Sequence, residues 1–207
     1  MAQLGSSVNA FTNMRDVRAI PNSKFLQIGI DPKTFKKWKE PKTGDVVFMG
    51  NNYGNVFPLG SMRNEACRML RRHFNAKLYG NYDGSVGNLK ADPNNPFENQ
   101  SKEAKIYSAC AIAISISHFN VERYTSDRLL RCMGSGAFTL AHHYEGIERD
   151  FVIGKHLQTF STLNEMQDKI SYYLENEKER EDVAKNGYEY VHKHYTYKNM
   201  AENILSL

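Results

Sequence analysis

The sequence predicts a doubly wound α/β domain: a parallel sheet with helices on both faces and a helical C-terminus. Three observations predict it. Short, mostly apolar runs recur at 45–49, 76–79, 111–116, 137–140 and 157–160, and helix-patterned or turn-rich segments separate them. The stretch Ala111 to Leu140 reads as a complete strand–loop–helix–strand unit, the βαβ crossover that only a parallel sheet needs. From Thr162 onward the pattern is helical alone.

The central unit fixes the expected position of a site. Residues 111–116 alternate small and β-branched apolar residues, as a buried strand does. A polar loop from Ser117 to Thr125 follows, and Thr125 or Ser126 can cap the next helix. Asp127 suits its first turn, Leu129, Leu130 and Met133 form its apolar face, and Gly134 and Gly136 stop it. Such sheets bind ligands at the carboxyl ends of their strands, where this helix N-terminus would attract an anion.

Taken in order, residues 1–24 read as polar and loop-like, and Phe25 to Ile30 as a strand. The lysine-dense segment Lys33 to Gly44 reads as a solvated linker. A strand at Asp45–Met49 runs directly into the glycine loop Gly50, Asn51, Asn52, Tyr53, Gly54. Residues 61–74 follow as a helix capped by Ser61, with Met62, Ala66, Met69, Leu70 and His73 on one face. Strand, glycine loop and helix is a phosphate-binding order, but the spacing matches neither G-x-G-x-x-G nor a Walker motif. On spacing alone, a tight turn explains Gly50 and Gly54 as well. A second strand at 76–79, a loop over 91–100 and a helix over 101–109 lead into the central strand. Beyond Leu140, His142 and His143 sit in a sheet-end loop, where adjacent residues converge poorly on a metal. Leu163, Met166, Ile170 and Leu174 form the stripe of the next helix; a charged helix from about Glu177 and a terminal one after Tyr195 complete the chain.

Composition excludes several classes. Hydrophobic residues make up 41% of the 207, enough for a core, yet no run approaches the roughly 20 apolar residues of a membrane span. The N-terminus has no apolar segment of a secretory signal, and the three cysteines are far apart and set in apolar segments. Both features suit a reducing, cytoplasmic setting. A net charge of +4 permits an anionic ligand without arguing for nucleic acid.

The sequence order of DVVFMGNNYG, a helix near SMR, AKLYGN, EAKIYSACAIAIS and TSDRLLRCMGSGAFTLAHHYEGIERDFVIGKHLQTF resembles the C-terminal half of GT-B glycosyltransferases. Within them it is most similar to the spore-maturation-type branch frequent in bacteria and phages, as is the helical tail from Tyr172. The resemblance spans about residues 25–205 and is most specific over 124–160. It implies that residues 1–44 are a remnant of the first GT-B domain plus a linker, and 45–207 a Rossmann-like domain for the nucleotide-sugar donor. It further implies a diphosphate held by amides and hydroxyls at Tyr124, Thr125, Ser126 and Asp127, with Arg128 contacting phosphate and residues 50–54 bordering the cleft. Arg131 stands where many relatives carry a Glu that holds the donor ribose. No metal or cofactor is expected beyond the nucleotide-diphosphate sugar, because a helix N-terminus and an arginine can stabilise the leaving diphosphate. The base for the acceptor would come from the first domain, so this chain is expected to bind donor and to need an acceptor half for turnover.

Two other readings stay open at this stage. One is a non-catalytic interaction module that self-associates or meets a separately encoded acceptor domain. The other is a phage DNA-base glycosyltransferase using the lysines at 33–42 and the basic run at 68–72, for which +4 is thin support.

Overall fold

The computed structural model describes residues 8–87, 89 and 96–206. Its centre is a five-stranded, wholly parallel sheet. In chain order the strands are β3 (Gly44–Met49), β4 (Ala76–Tyr79), β5 (Cys110–Ser115), β6 (Phe138–His142) and β7 (Gln158–Phe160), arranged β4-β3-β5-β6-β7. The chain winds outward from β3 to β4, then returns to β5 on the other side of β3 and winds the other way. The carboxyl ends of β3 and β5 therefore flank a topological switch point, where open α/β sheets leave a crevice.

Both faces of the sheet are covered, as the unbroken apolar runs require. Val46 and Phe48 of β3 and Ile112 and Ile114 of β5 share one cluster with Ala66, Cys67 and Leu70 of α2 (Gly60–His73) and Met166 and Ile170 of α5 (Leu163–Glu175). The alternate residues Val47, Met49 and Ala113 point the other way. They meet Tyr107 of α3 (Pro96–Ser108) and Cys132 of α4 (Asp127–Gly134). The long α6 (Glu177–His194) packs Val191 beside Leu130 and Met133 of α4. Of the two residues expected to cap α4, Ser126 does so, accepting from the Leu129 amide at 3.4 Å; α5 is capped by Thr162, which accepts from the Glu165 amide at 3.2 Å. The terminal helix α7 (Tyr197–Leu205) starts with a capping box between Thr196 and Asn199.

Several expectations need correction. Residues 25–30 form no strand in the sheet; only Ile30 makes an isolated parallel bridge, with Thr196. The strand signal shifts upstream instead. β1 (Asn9–Phe11) and β2 (Ser23–Phe25) pair in parallel across α1 (Met14–Ala19), which Asn13 caps. The region expected as loop over 1–24 is thus structured from residue 9. Nor is the lysine-dense segment solvated throughout. Phe35 is fully buried beside Leu129 and Met133, and Trp38 packs partly against the same cluster. Lys36 and Lys105 stand over the Trp38 ring at 4.4 and 5.0 Å. Two aromatic anchors outweigh the lysines, whose long side chains can keep their charge in water. α2 begins one residue early, behind Leu59, which offers no side-chain cap; Ser61 bonds Asn55 at 2.9 Å instead. α3 begins at Pro96 and not at residue 101, while residues 91–95 of the expected loop lie outside the described residues.

Candidate donor-binding cleft

An open cleft of about 480 Å³ lies at the switch point. Its lining comes from the end of β3, the β5–α4 loop, the start of α4, α3 and the turn after β4. Two guanidinium groups meet beside Gly50, of which Arg128 lines the cleft and Arg63 lies buried next to it. Arg63, on α2, is only 1% exposed. It donates to the Ile116 carbonyl, to the Asn51 carbonyl at 3.1 Å and to the Tyr82 hydroxyl at 3.3 Å. Arg128, in the first turn of α4, donates to the same Ile116 carbonyl at 2.8 Å. Both guanidiniums lie near the Phe48 ring, at 5.1 and 5.6 Å. Among the described residues no carboxylate pairs with either. Burial and then the Arg128 charge hold the Arg63 pKa below its ordinary value. An arginine sealed among carbonyls beside a like charge leaves the positive charge of this region uncompensated.

Gly50 makes this convergence possible. A Cβ there would stand 2.5 Å from an Arg63 Nη atom and 2.7 Å from one of Arg128. The glycine answers to side-chain approach and not to a left-handed backbone. Gly54, by contrast, turns the chain at φ 58° with open space around it. His118, two residues past the shared carbonyl, also lines the cleft. Burial, then the charges of Arg63 and Arg128, push its pKa down to about 4, so the imidazole is neutral at neutral pH. Its ring meets Tyr53 at 5.2 Å and Phe57 at 4.8 Å, forming an aromatic rim.

One turn further along α4 the lining carries charge of both signs. Arg131 lies between Glu103 of α3 at 3.1 Å and Asp127 at 3.0 Å. Burial raises the Glu103 carboxyl, and Arg131 offsets that only in part.

Of the residues expected at a site, the structure brings Gly50, Asn51, Tyr53, Asp127, Arg128 and Arg131 to the cleft. The remaining five serve the surrounding turns. Asn52 exchanges two hydrogen bonds with Asn81 at 2.6 and 2.8 Å, and its side chain accepts from Gly54 at 2.8 Å. The Tyr124 amide closes a turn on Val121 at 3.1 Å. Thr125 is buried, its hydroxyl 2.7 Å from that of Tyr144, and the Ser126 hydroxyl is taken by the cap. The expected cradle of hydroxyls is thus occupied internally. The Arg128 amide likewise bonds the Asp127 carboxylate at 2.8 Å. His142 and His143 diverge: one ring packs on Phe160 at 5.6 Å, the other meets Glu148 at 2.8 Å.

Sequence reasoning missed Arg63, Glu103 and His118. A signal for Arg63 exists. It lies in register with Ala66, Cys67 and Leu70, so a cation sits in the buried stripe of α2. A charge at such a position is rarely buried without a task.

Residues 63–206 match the model of the glycosyl transferase-like family, and the chain belongs to that family. No curated protein matches it. Among solved structures, sucrose-phosphate synthase from Thermosynechococcus elongatus superposes with a TM-score of 0.72 at 13% identity. The match covers 98% of this chain and 57% of that one. HepE from Anabaena, in complex with UDP and glucose, gives 0.70 at 10% identity, covering 97% and 62%. The C-terminal domain of a group 1 glycosyl transferase (LpcC) from Francisella tularensis gives 0.54 at 16%, covering 81% and 99%. The fold is the Rossmann-like GT-B fold, and the chain spans about 57–62% of the length of the first two.

Proposed function

We propose that the cleft binds the diphosphate of a nucleotide-sugar donor, and that the chain is the donor half of a glycosyltransferase. One observation carries this reading: Arg63 and Arg128 converge over Gly50 at the switch point with no carboxylate between them. The Arg128 guanidinium, which lines the cleft, can give a phosphate two parallel hydrogen bonds, and the buried Arg63 beside it adds uncompensated positive charge without direct contact. The HepE complexes with UDP and with UDP-glucose lend support, since that chain shares the fold.

In the proposed reaction an acceptor hydroxyl oxygen forms a bond to the anomeric carbon as the bond from that carbon to the β-phosphate oxygen breaks. The hydroxyl proton passes to a base, and the nucleoside diphosphate leaves with the bonding pair. The two arginines stabilise the charge growing on the diphosphate, which the α4 dipole also favours. Asp127 and Arg131 border this region; the expected use of Thr125 and Ser126 hydroxyls is replaced in this reading by Arg63. Residues 1–44 correspond in the same reading to the crossing from an acceptor-binding domain, which supplies the base, and 45–207 to the donor domain. A reducing cytoplasmic setting suits the three buried free thiols. The similarity of the stretch 124–160 to the spore-maturation-type branch suggests that sub-branch. Calorimetric titration with UDP, GDP, ADP and TDP tests the reading. Binding of at least one is expected, and absence of binding by all four at millimolar concentration removes it.

A further inference from the structure

The loop that carries the cleft's shared carbonyl and His118 is gripped from outside by the N-terminal unit. β1, α1 and β2 stand apart from the five-stranded sheet. At the start of α1 the Met14 amide donates to the Glu122 carbonyl at 3.0 Å. Arg18, one turn on, forks the Glu122 carboxylate, with Nη2 to Oε1 at 2.8 Å and Nη1 to Oε2. The Glu122 side chain is only 9% exposed and also faces Arg149 at 3.6 Å.

The next residue carries strain. Arg123 is in the left-handed region at φ 55°, uncommon for a residue with a Cβ. Such a conformation persists where its surroundings over-determine it. Its guanidinium lies 3.9 Å from the Phe25 ring centroid, on β2, and forks the buried Asp150 at 2.9 and 2.8 Å. Its amide donates to Glu145 at 2.7 Å. Ser126, the cap of α4, follows three residues later, and Arg128 two after that. Neither Glu122 nor Arg123 lines the cleft.

We propose that Glu122 and Arg123 are positioning residues. They carry the placement of the β1–α1–β2 unit into the start of α4, so that this unit sets where Arg128 stands against the Ile116 carbonyl. The unit acts through three separate handles, the Met14 amide, the Arg18 fork and the Phe25 ring. All three act on two consecutive residues of one loop. Only the affinity part of the test rests on the nucleotide reading.

Arg18→Ala and Phe25→Leu each remove one handle while leaving the cleft untouched. Hydrogen exchange of the ligand-free proteins is compared at residues 126–130 and, as a control, at residues 183–191 of α6. Exchange about tenfold faster at 126–130 with the control unchanged is expected in both variants, the size expected for losing one contact to a charged group. Faster exchange confined to residues 9–26 overturns the proposal, and so does a rise spread equally over α6. UDP titration then follows. Affinity weaker by several-fold in both variants supports positioning of Arg128, and equal affinity overturns it whatever the exchange shows. If UDP binds neither variant nor the parent protein, the nucleotide reading falls, and the exchange pattern alone decides the coupling.

Discussion

Beside Gly50, Arg63 and Arg128 face carbonyls, a phenol and the Phe48 ring; one turn along α4, Arg131 lies between Glu103 and Asp127. The residue type is the same, but the partners differ. A guanidinium held by neutral acceptors keeps its charge uncompensated and available to an anion. One held by two carboxylates has already been neutralised, and its removal strands a buried acid. Proximity to a cleft is therefore a weaker guide to ligand contact than the sign of what a cation already touches.

The sharpest way to break this comparison is Arg63→Met. Both carbonyls that Arg63 serves keep a second donor, Ile116 from Arg128 and Asn51 from the Tyr82 hydroxyl at 3.2 Å. The fold should therefore survive, with a melting temperature equal to or above the parent's, because a buried unpaired charge is replaced by an apolar side chain. UDP affinity should fall at least about tenfold by calorimetry, as an uncompensated positive charge next to the phosphate site is lost. An unchanged affinity would assign Arg63 to the fold alone.

Arg128→Ala should weaken UDP by about tenfold or more with little change in melting temperature. Arg128→Lys should recover only part of this, since a point charge cannot reproduce the planar fork. Gly50→Ala tests the same pair from the other side. Its Cβ displaces both guanidinium groups, so UDP affinity should drop by a similar factor without loss of the fold.

The Arg131 cluster should respond in stability and not in affinity. Arg131→Met leaves Glu103 buried without its cation and should cost about 1–3 kcal/mol at neutral pH by urea denaturation. UDP binding should change by less than about twofold, and adding Glu103→Gln should restore most of the stability.

The smallest effect concerns His118. Its folded-state pKa of about 4 lies below the ordinary 6.5, so between these values the unfolded chain binds the extra proton. Stability from this group is present above pH 6.5 and is lost as pH falls toward 4. His118→Gln should flatten the parent's stability profile across that window; an identical slope in both proteins would contradict the neutral, desolvated imidazole.

The sheet was legible because its strands are buried on both faces, which leaves short apolar runs that hardly need partners to be recognised. The start of α4 was legible through Ser126 and Asp127, a cap and a first-turn acid that act locally. What stayed hidden depends on distant partners. Thr125 looks like a ligand hydroxyl until Tyr144 claims it, and Phe35 looks like linker until α4 packs on it. Arg63 was hidden by assumption, since a stripe of apolar residues invites the reader to skip the cation inside it. Glu103 enters the cleft from a helix whose preceding loop carries no local signal for that approach.

The proposed attraction of the diphosphate to uncompensated arginine charge is most directly tested by titrating UDP and uridine into the parent protein and into Arg63→Met. UDP should bind the parent at least about a hundredfold more tightly than uridine does, and the substitution should remove at least about tenfold of that difference while leaving uridine unaffected. Equal affinity for UDP and uridine, or a preference for UDP that survives Arg63→Met intact, would contradict it.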